Sequence, residues 1–179
     1  MRKAFSLAFL ALFLFPLVSF SQEKDDLGCA SEEGKKLSFL TGKWRVKSKF
    51  RTGSEPDKWE ETTGTSEIKF LFEDCLAQEK LEIKRGGRPL TVIALYSYNN
   101  FSDMYQWTFA HSEHGLLTFY EGPLEGDRFT FRSETKAGGR KISFERLLTK
   151  TAKGFDLTAQ RSSDGGKTWR VDWYLSYTR

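Results

Sequence analysis

The sequence of 179 residues contains few of the residues on which metal sites depend, with two His and two Cys. His111 and His114 fall where a predicted strand ends and a turn begins, and no third ligand accompanies them, so no zinc template is present. The chain also lacks a nucleophile elbow, a phosphate-binding loop and a dinucleotide-binding fingerprint. We therefore expect neither a metal nor an organic cofactor.

Strong net charge is missing as well. The 28 Lys and Arg are nearly balanced by 24 Asp and Glu, which leaves a formal charge of +4. The basic residues are spread along the chain and alternate with acids, whereas a nucleic-acid site needs a basic patch or stripe. We expect no nucleic-acid partner, and we interpret the alternating charges as a solvated outer face.

Long apolar runs are absent except near the N-terminus, where Ala4 to Val18 is almost continuously apolar. Arg2 and Lys3 precede this run, and Ser19-Phe20-Ser21 places small residues before Gln22, the layout of a cleavable signal peptide. The run is shorter than the roughly 20 residues of a membrane span, although an uncleaved anchor is the alternative. Residues 1–21 are therefore predicted to be a signal peptide of a periplasmic or secreted protein, with no membrane association after cleavage.

Only two cysteines, Cys29 and Cys75, are present, and both follow the predicted signal peptide. Export permits oxidation, so a single disulfide between them is predicted, with two unpaired thiols as the alternative. Residues 22–40 form the predicted N-terminal segment, in which Ser31 caps a short helix that ends by Gly42.

Aromatic residues are abundant, at 15% of the chain, and they favour sheet over helix. From Trp44 onward, apolar and polar residues alternate with a period of two, and short Gly-containing turns separate the runs. Residues 41–179 are therefore predicted to form one all-β domain, an up-and-down antiparallel barrel, with a two-sheet sandwich as the alternative. The ten predicted strands span residues 44–51, 59–72, 75–84, 90–98, 104–112, 116–121, 128–135, 141–150, 155–161 and 168–179.

Three short pieces of the chain carry a resemblance: Phe39 to Trp44, Asp74 to Glu79, and Asp164-Gly165-Gly166 together with the final Tyr177 to Arg179. Gly42-Lys43-Trp44 resembles the G-x-W that opens lipocalins and other calycin barrels. The wider layout resembles an uncharacterised family of exported bacterial calycin-like proteins. The resemblance implies a lipocalin-like barrel of about ten strands that can hold a small ligand, and it implies no particular activity.

The end of the chain supplies two structural predictions. Ser162, Asp164, Gly166, Thr168 and Trp169 match the Asp-box of sialidase propellers, but a single copy predicts a hairpin turn in which Asp164 accepts backbone N–H bonds and Trp169 packs beneath. With an even number of strands, the last strand closes the barrel beside the first. Arg179 is then expected to pack on Trp44, as the Arg over the G-x-W tryptophan does in lipocalin-like barrels.

Polar residues on inward-facing strand faces are the candidates for function. The polar candidates are Glu79, His111, Arg146 and Arg161. Two aromatic residues, Tyr105 and Trp107, are predicted to form the walls of a pocket. Because a buried charge needs a partner, one interpretation is a structural Glu79–Arg146 ion pair and a wet rim. The other is a pocket that anchors a small hydrophobic or aromatic ligand.

Two further functions stay open. An enzyme on the same barrel, a hydrolase or isomerase, would use Glu79 with Arg146 or His111, but no catalytic residues are assigned from the sequence. A structural or protein-interaction domain would show an apolar patch on an uncovered outer face, for example around Leu90 to Tyr98.

Overall fold

The computed structural model describes residues 31–53, 58–72 and 74–179, and these form a closed antiparallel β-barrel with one short helix. Helix α1 (Glu32–Lys35) and a 3-10 turn (Ser38–Leu40) precede the strands. The eleven strands are β1 (Gly42–Arg51), β2 (Trp59–Leu71), β3 (Leu76–Arg85), β4 (Arg88–Asn99), β5 (Met104–His111), β6 (Thr118–Gly122), β7 (Leu124–Glu125), β8 (Arg128–Ala137), β9 (Arg140–Thr151), β10 (Gly154–Ser162) and β11 (Arg170–Thr178). The predicted all-β fold is confirmed, with ten barrel strands and a two-residue β7 beside them.

Neighbours in the chain are neighbours in the barrel, as an up-and-down meander requires. Strand β1 pairs antiparallel with both β2 and β11, so the last strand does lie beside the first. The ring closes at a second place, where β6 meets β8 through the pair Glu121 and Arg132. The two-residue β7 pairs only with β8. In the described part of the chain, all strands belong to one sheet whose ends join through β6 and β8, which excludes a two-sheet sandwich.

The alternation of residue types in β1 explains which side of the sheet faces inward. Trp44, Val46, Ser48 and Phe50 are buried, and the residues between them are exposed Lys and Arg. The same period of two runs through β3, where Ala77, Glu79, Leu81 and Ile83 are buried. Apolar side chains therefore point into the barrel, and basic or acidic ones cover its outer surface.

The N-terminal segment fills one end of the barrel, which we call the closed end. Ser31 caps α1 by accepting a hydrogen bond from the Gly34 N–H at 3.0 Å. Leu37 and Leu40 are fully buried, and the Leu40 carbonyl accepts a 2.8 Å hydrogen bond from the indole N–H of Trp44. The segment therefore covers the end of the barrel at which β1 begins.

Arg179 lies against the same tryptophan. Its guanidinium carbon is 4.6 Å from the Trp44 ring centroid, and its Nη2 donates a 2.9 Å hydrogen bond to the Thr41 carbonyl. The expected contact between the two ends of the barrel chain is thus present, and it combines a cation–π interaction with a backbone hydrogen bond.

The hairpin between β10 and β11 is held together by Asp164. Its Oδ1 accepts hydrogen bonds from the N–H groups of Lys167 and Thr168, both at 3.0 Å, and its Oδ2 accepts one from the Thr168 hydroxyl at 2.6 Å. The half-buried Trp169 lies beside Gly166, as the Asp-box pattern leads one to expect. Every contact of Asp164 lies inside the turn, which is the structural role predicted for it.

These hydrogen bonds predict a pH-dependent contribution of Asp164 to stability. The Thr168 hydroxyl and N–H lower the pKa of the Asp164 carboxyl from 3.8 to about 2. Because the folded pKa is below the unfolded one, the stabilisation is complete above about pH 4 and is lost as the pH falls to about 2. Asp164→Asn should lower the melting temperature at pH 7, with a difference from the wild type that shrinks across this window in thermal unfolding followed by circular dichroism. A difference independent of pH would contradict this origin.

Strand β11 differs from its predicted pattern. The pairing with β10 shifts between Ala159 and Gln160, which face Trp173 and Val171, so Asp172 is an extra residue in a β-bulge. Trp173, Leu175 and Tyr177 face inward as predicted. Strict alternation from these three residues would also put Trp169 and Val171 on the inward face, but the bulge reverses the phase, and this extrapolation is wrong.

Several predictions concern residues outside the described ranges. The signal peptide at 1–21 and Cys29 lie there, so cleavage, export and the disulfide stay predictions. Cys75 lies in the turn between β2 and β3, at the same closed end of the barrel as Ser31. Across 31–53, 58–72 and 74–179, no helix has the length and apolar character to cross a membrane.

Candidate ligand-binding cavity

The barrel encloses a cavity of about 650 Å³ that opens at the end opposite the closed end. Its volume falls in the range of roughly 300–1,000 Å³ typical of small-molecule sites. The last residues of β1, β3 and β5, namely Arg51, Arg85 and His111, line its mouth, because these strands run from the closed end to the open end. Apolar side chains form most of the wall below them, among them Leu81, Val92, Ala94, Phe109, Leu157 and Leu175.

Glu79 is one of the two acidic groups that line the cavity, and it is only 2% exposed. Ser66 donates a 2.7 Å hydrogen bond to its Oε1, and Tyr96 donates one of 2.7 Å to its Oε2. Burial raises the pKa of the Glu79 carboxyl, while the hydrogen bonds from Tyr96 and Ser66 oppose this rise. Glu79 therefore carries its own partners and needs no cation to satisfy it.

Two side chains near Glu79 or its partner Tyr96 have polar atoms with no hydrogen-bond partner. The indole Nε1 of Trp107 and the hydroxyl of Tyr177 are both buried and unpartnered within the described part of the protein, although the Tyr177 hydroxyl is near enough to Glu79 to lower the pKa of that carboxyl. Trp107 stacks on Phe109 with ring centroids 4.9 Å apart. Trp107 and Tyr177 both line the cavity, as was predicted for Trp107.

Arg146 lies on another wall, 6% exposed and surrounded by aromatic rings. Its guanidinium carbon is 4.9 Å from the centroid of Tyr120, 5.2 Å from that of Trp173 and 5.8 Å from that of Phe144. Nη2 donates to the Tyr120 hydroxyl at 2.9 Å, and Nη1 donates to the carbonyls of Glu145 and Gln160 at 3.0 and 3.3 Å. These partners are all neutral, and Nε has none.

The predicted Glu79–Arg146 ion pair is wrong. Among the described residues, neither side chain forms a salt bridge, and no hydrogen bond connects Glu79 to Arg146 or to His111. The reason is that hydroxyl groups satisfy the carboxylate on its own side of the barrel, while the guanidinium is held by Tyr120 and two backbone carbonyls. The pairings that an enzyme would require are therefore not formed in the structure.

The mouth of the cavity is rich in arginine. Arg161 Nε lies 3.3 Å from Asp172 Oδ1, and Arg170 donates to the Gly53 carbonyl at 3.1 Å. Arg85 pairs with Glu113 at 3.1 Å, and Arg51 donates to the Val171 carbonyl at 2.8 Å. With Arg146, five arginines line the cavity against two acids, Glu79 and Asp172, so its electrostatic potential favours anions.

Two of the predicted site residues need comment. His111 lines the mouth with His114, their ring centroids 5.3 Å apart, and burial lowers the pKa of His111. Tyr105 does not line the cavity, and the prediction that it forms a wall is wrong. Its ring packs on Phe129 at the closed end, and its hydroxyl donates to the Glu33 carboxylate at 2.7 Å, because inward-facing positions at this end of β5 meet the N-terminal segment.

Some cavity residues were not identified from the sequence. Alternation from Trp173 puts Arg170 and Asp172 on the outer face, whereas the bulge in β11 brings them to the mouth. Arg85 continues the inward face of β3 after Ile83, so alternation could have identified it. Arg51 ends a strand whose alternation puts it outside, but at the barrel rim the strand end reaches across the opening. A pattern with a period of two contains no signal for either effect.

The outer surface near the mouth is partly apolar. Leu117, Phe119 and Ile93 are 78%, 52% and 40% exposed, and Phe119 and Ile93 lie on opposite sides of β5. The sequence pointed to this region of β4 as the place where an interaction surface would show. Nothing in the structure identifies a partner for it.

No group of three or more His, Cys, Asp and Glu in the described ranges has the geometry of a metal site. A family model described as a protein of unknown function, DUF1579, matches residues 30–169, which include the strands from β1 to β10 and the Asp164 turn. No curated protein matches the chain.

Proposed function

Because the chain belongs to the DUF1579 family of proteins of unknown function, we propose its function from the cavity: the protein binds a small hydrophobic or aromatic molecule inside the barrel. The observation that carries this proposal is the combination of about 650 Å³ of space with a wall that is mostly apolar. A purely structural barrel of this size would fill its interior with side chains.

The few polar atoms of the wall support the same interpretation. Five side-chain polar atoms of the described residues are buried without a hydrogen-bond partner, and four of them belong to residues that line this cavity. The four are His111 Nδ1 and Arg146 Nε, together with Tyr177 Oη, which lies close to Glu79, and Trp107 Nε1, which lies close to Tyr96. A buried unpartnered group costs about 1–3 kcal/mol, so their concentration in one place is what a site prepared for ligand polar atoms would show.

Filling the cavity should weaken binding of a small molecule strongly. Val92 lines the cavity and is followed in β4 by Ile93, which points outward and is 40% exposed. We expect Val92→Trp to weaken binding of the uncharged fluorescent probe N-phenyl-1-naphthylamine at least tenfold, since the indole takes the space of the probe. Ile93→Trp is the matched control and should bind the probe as the wild type does.

Both affinities are measured by titrating the probe and following its fluorescence, with circular dichroism to verify the fold of each variant. A wild-type protein that does not bind the probe would argue against the cavity as a binding site. Equal binding by wild type and Val92→Trp would place the probe elsewhere, for example on the outer face near Phe119.

We also propose that binding takes place outside the cytoplasm and that a disulfide between Cys29 and Cys75 cross-links the protein. The order of charged, apolar and small residues in 1–21 supports export. The position of Cys75 at the closed end, where Ser31 also lies, supports a short connection to Cys29. Mass spectrometry of non-reduced peptides from the exported protein would detect the linked pair and the new N-terminus, and separate thiol peptides would exclude the disulfide.

A further inference from the structure

The chemical nature of the ligand follows from Arg146, given the proposed binding function. An arginine side chain keeps its charge at all physiological pH values, so burial cannot be relieved by losing the proton. A buried charge normally has an ion-pair partner or a metal ligand beside it. Arg146 is 6% exposed, and no described carboxylate lies within salt-bridge distance of it.

The neutral partners of Arg146 hold the guanidinium in place without neutralising it. The Tyr120 hydroxyl and the carbonyls of Glu145 and Gln160 fix Nη1 and Nη2, and three aromatic rings surround the group. Asp172 is the carboxylate that interacts electrostatically with Arg146, but it forms its salt bridge with Arg161. The unpartnered Nε–H therefore belongs to a fixed, uncompensated cation on the wall of the cavity.

Glu79, on the other wall of the cavity from Arg146, determines how a ligand is oriented. Glu79 is satisfied by Ser66 and Tyr96 and would repel an anion if ionised. Leu81, two residues further along β3, and Ala94, the partner of Glu79 in β4, contribute apolar wall beside it. An anionic headgroup is favoured at Arg146, and an apolar tail is favoured on the Glu79 side.

We propose that the ligand is an amphipathic monocarboxylic acid whose carboxylate accepts a hydrogen bond from Arg146 Nε while its hydrocarbon part fills the cavity. One free N–H next to a positive charge suits a single carboxylate oxygen. A phosphate, with two charges and three terminal oxygens, would need more donors than Arg146 has free. The arginines of the mouth attract the anion but already have partners of their own, so they assist entry and do not select the headgroup.

The test compares two probes that differ only in the headgroup, dodecanoate and dodecanol, at concentrations below their self-association. Binding is measured by displacement of N-phenyl-1-naphthylamine and by calorimetry. The wild type should bind dodecanoate at least tenfold more tightly than dodecanol. Arg146→Met, which has a side chain of similar shape and no charge, should lose this preference and bind dodecanol at least as well as the wild type does.

Three further variants keep the test decisive. Arg161→Met removes an arginine that attracts the anion to the mouth, so it should weaken binding of dodecanoate and still leave a preference for it over dodecanol. Arg45→Met, on the exposed outer face of β1, is the control and should bind both probes as the wild type does. Arg146→Lys keeps the charge and should retain part of the preference, which covers the case in which Arg146→Met does not fold. Loss of the preference in Arg161→Met but not in the Arg146 variants would overturn the assignment to Arg146.

The remaining outcomes separate this proposal from the one on which it rests. Equal binding of dodecanoate and dodecanol by the wild type would overturn the carboxylate proposal and leave the cavity as a binding site. Tighter binding of dodecyl phosphate than of dodecanoate would replace the carboxylate with a phosphate. Failure to bind any probe, N-phenyl-1-naphthylamine included, would remove both proposals.

Discussion

Gly122→Ala is expected to lower the free energy of unfolding by about 3 kcal/mol or more, at the upper end of the range for overpacked sites. A methyl group on Gly122 would lie 1.8 Å from the Thr130 carbonyl oxygen and 2.8 Å from its carbon. Both contacts are with backbone, which cannot rotate away. Gly122 ends β6 at the place where β6 meets β8 and the ring of strands closes. Urea denaturation followed by tryptophan fluorescence measures the loss.

Gly126→Ala is the control for this prediction. Gly126 has a φ of +61° and follows β7, but an added methyl group would have no atom within 4 Å. The substitution should lower the free energy of unfolding by only about 1–2 kcal/mol, the penalty for a left-handed conformation in a residue with a side chain. If Gly122→Ala were no more harmful than Gly126→Ala, the close approach of β6 and β8 would not be needed for barrel closure.

Trp44→Ala is expected to be the most damaging substitution at the closed end, at about 3–5 kcal/mol, which is typical of a large aromatic residue removed from a core. The ring is 4% exposed and lies edge-on to Phe155 at 5.2 Å, beneath the Arg179 guanidinium. Its indole N–H holds the Leu40 carbonyl. The substitution therefore removes packing, a cation–π contact and the anchor of the N-terminal segment, and chemical denaturation reports the sum.

Trp59→Ala is the matched control, because Trp59 is half-buried on the outer side of β2. The centroid of its ring is 5.5 Å from that of Tyr174 and 4.6 Å from the guanidinium carbon of Arg51. Its removal should cost about 1 kcal/mol, mostly the exposed aromatic and cation–π contacts. Equal losses for the two tryptophans would mean that the closed end contributes no more to stability than the outer surface does.

Much of the architecture could be predicted from the sequence because the barrel depends on a simple local rule. In β1, buried residues from Trp44 to Phe50 alternate with exposed basic ones, and the chain repeats this period between short turns. The pairing of β1 with β11 then follows from the even number of barrel strands. The contact of Arg179 with Trp44 followed from the same count, aided by the resemblance to lipocalin-like barrels.

The site was less predictable, since its chemistry depends on contacts between distant strands. Alternation placed Glu79 and Arg146 inside, but it could not show that Ser66 and Tyr96 bind the carboxylate or that Tyr120 binds the guanidinium. The predicted ion pair therefore combined two residues that are satisfied separately. Tyr105 was misplaced for a related reason, because alternation indicates the side of a strand but gives no depth along the barrel.

The bulge at Asp172 has a consequence for how this fold can change during evolution. Substitutions at Trp173, Leu175 and Tyr177 alter the wall of the cavity one side chain at a time. Deleting Asp172 would instead remove the bulge and leave β10 and β11 paired in the same register, so Arg170 keeps its place while the cavity loses one of its two acids. A single-codon deletion is thus a short mutational route to a mouth of different charge, while the interior below stays the same.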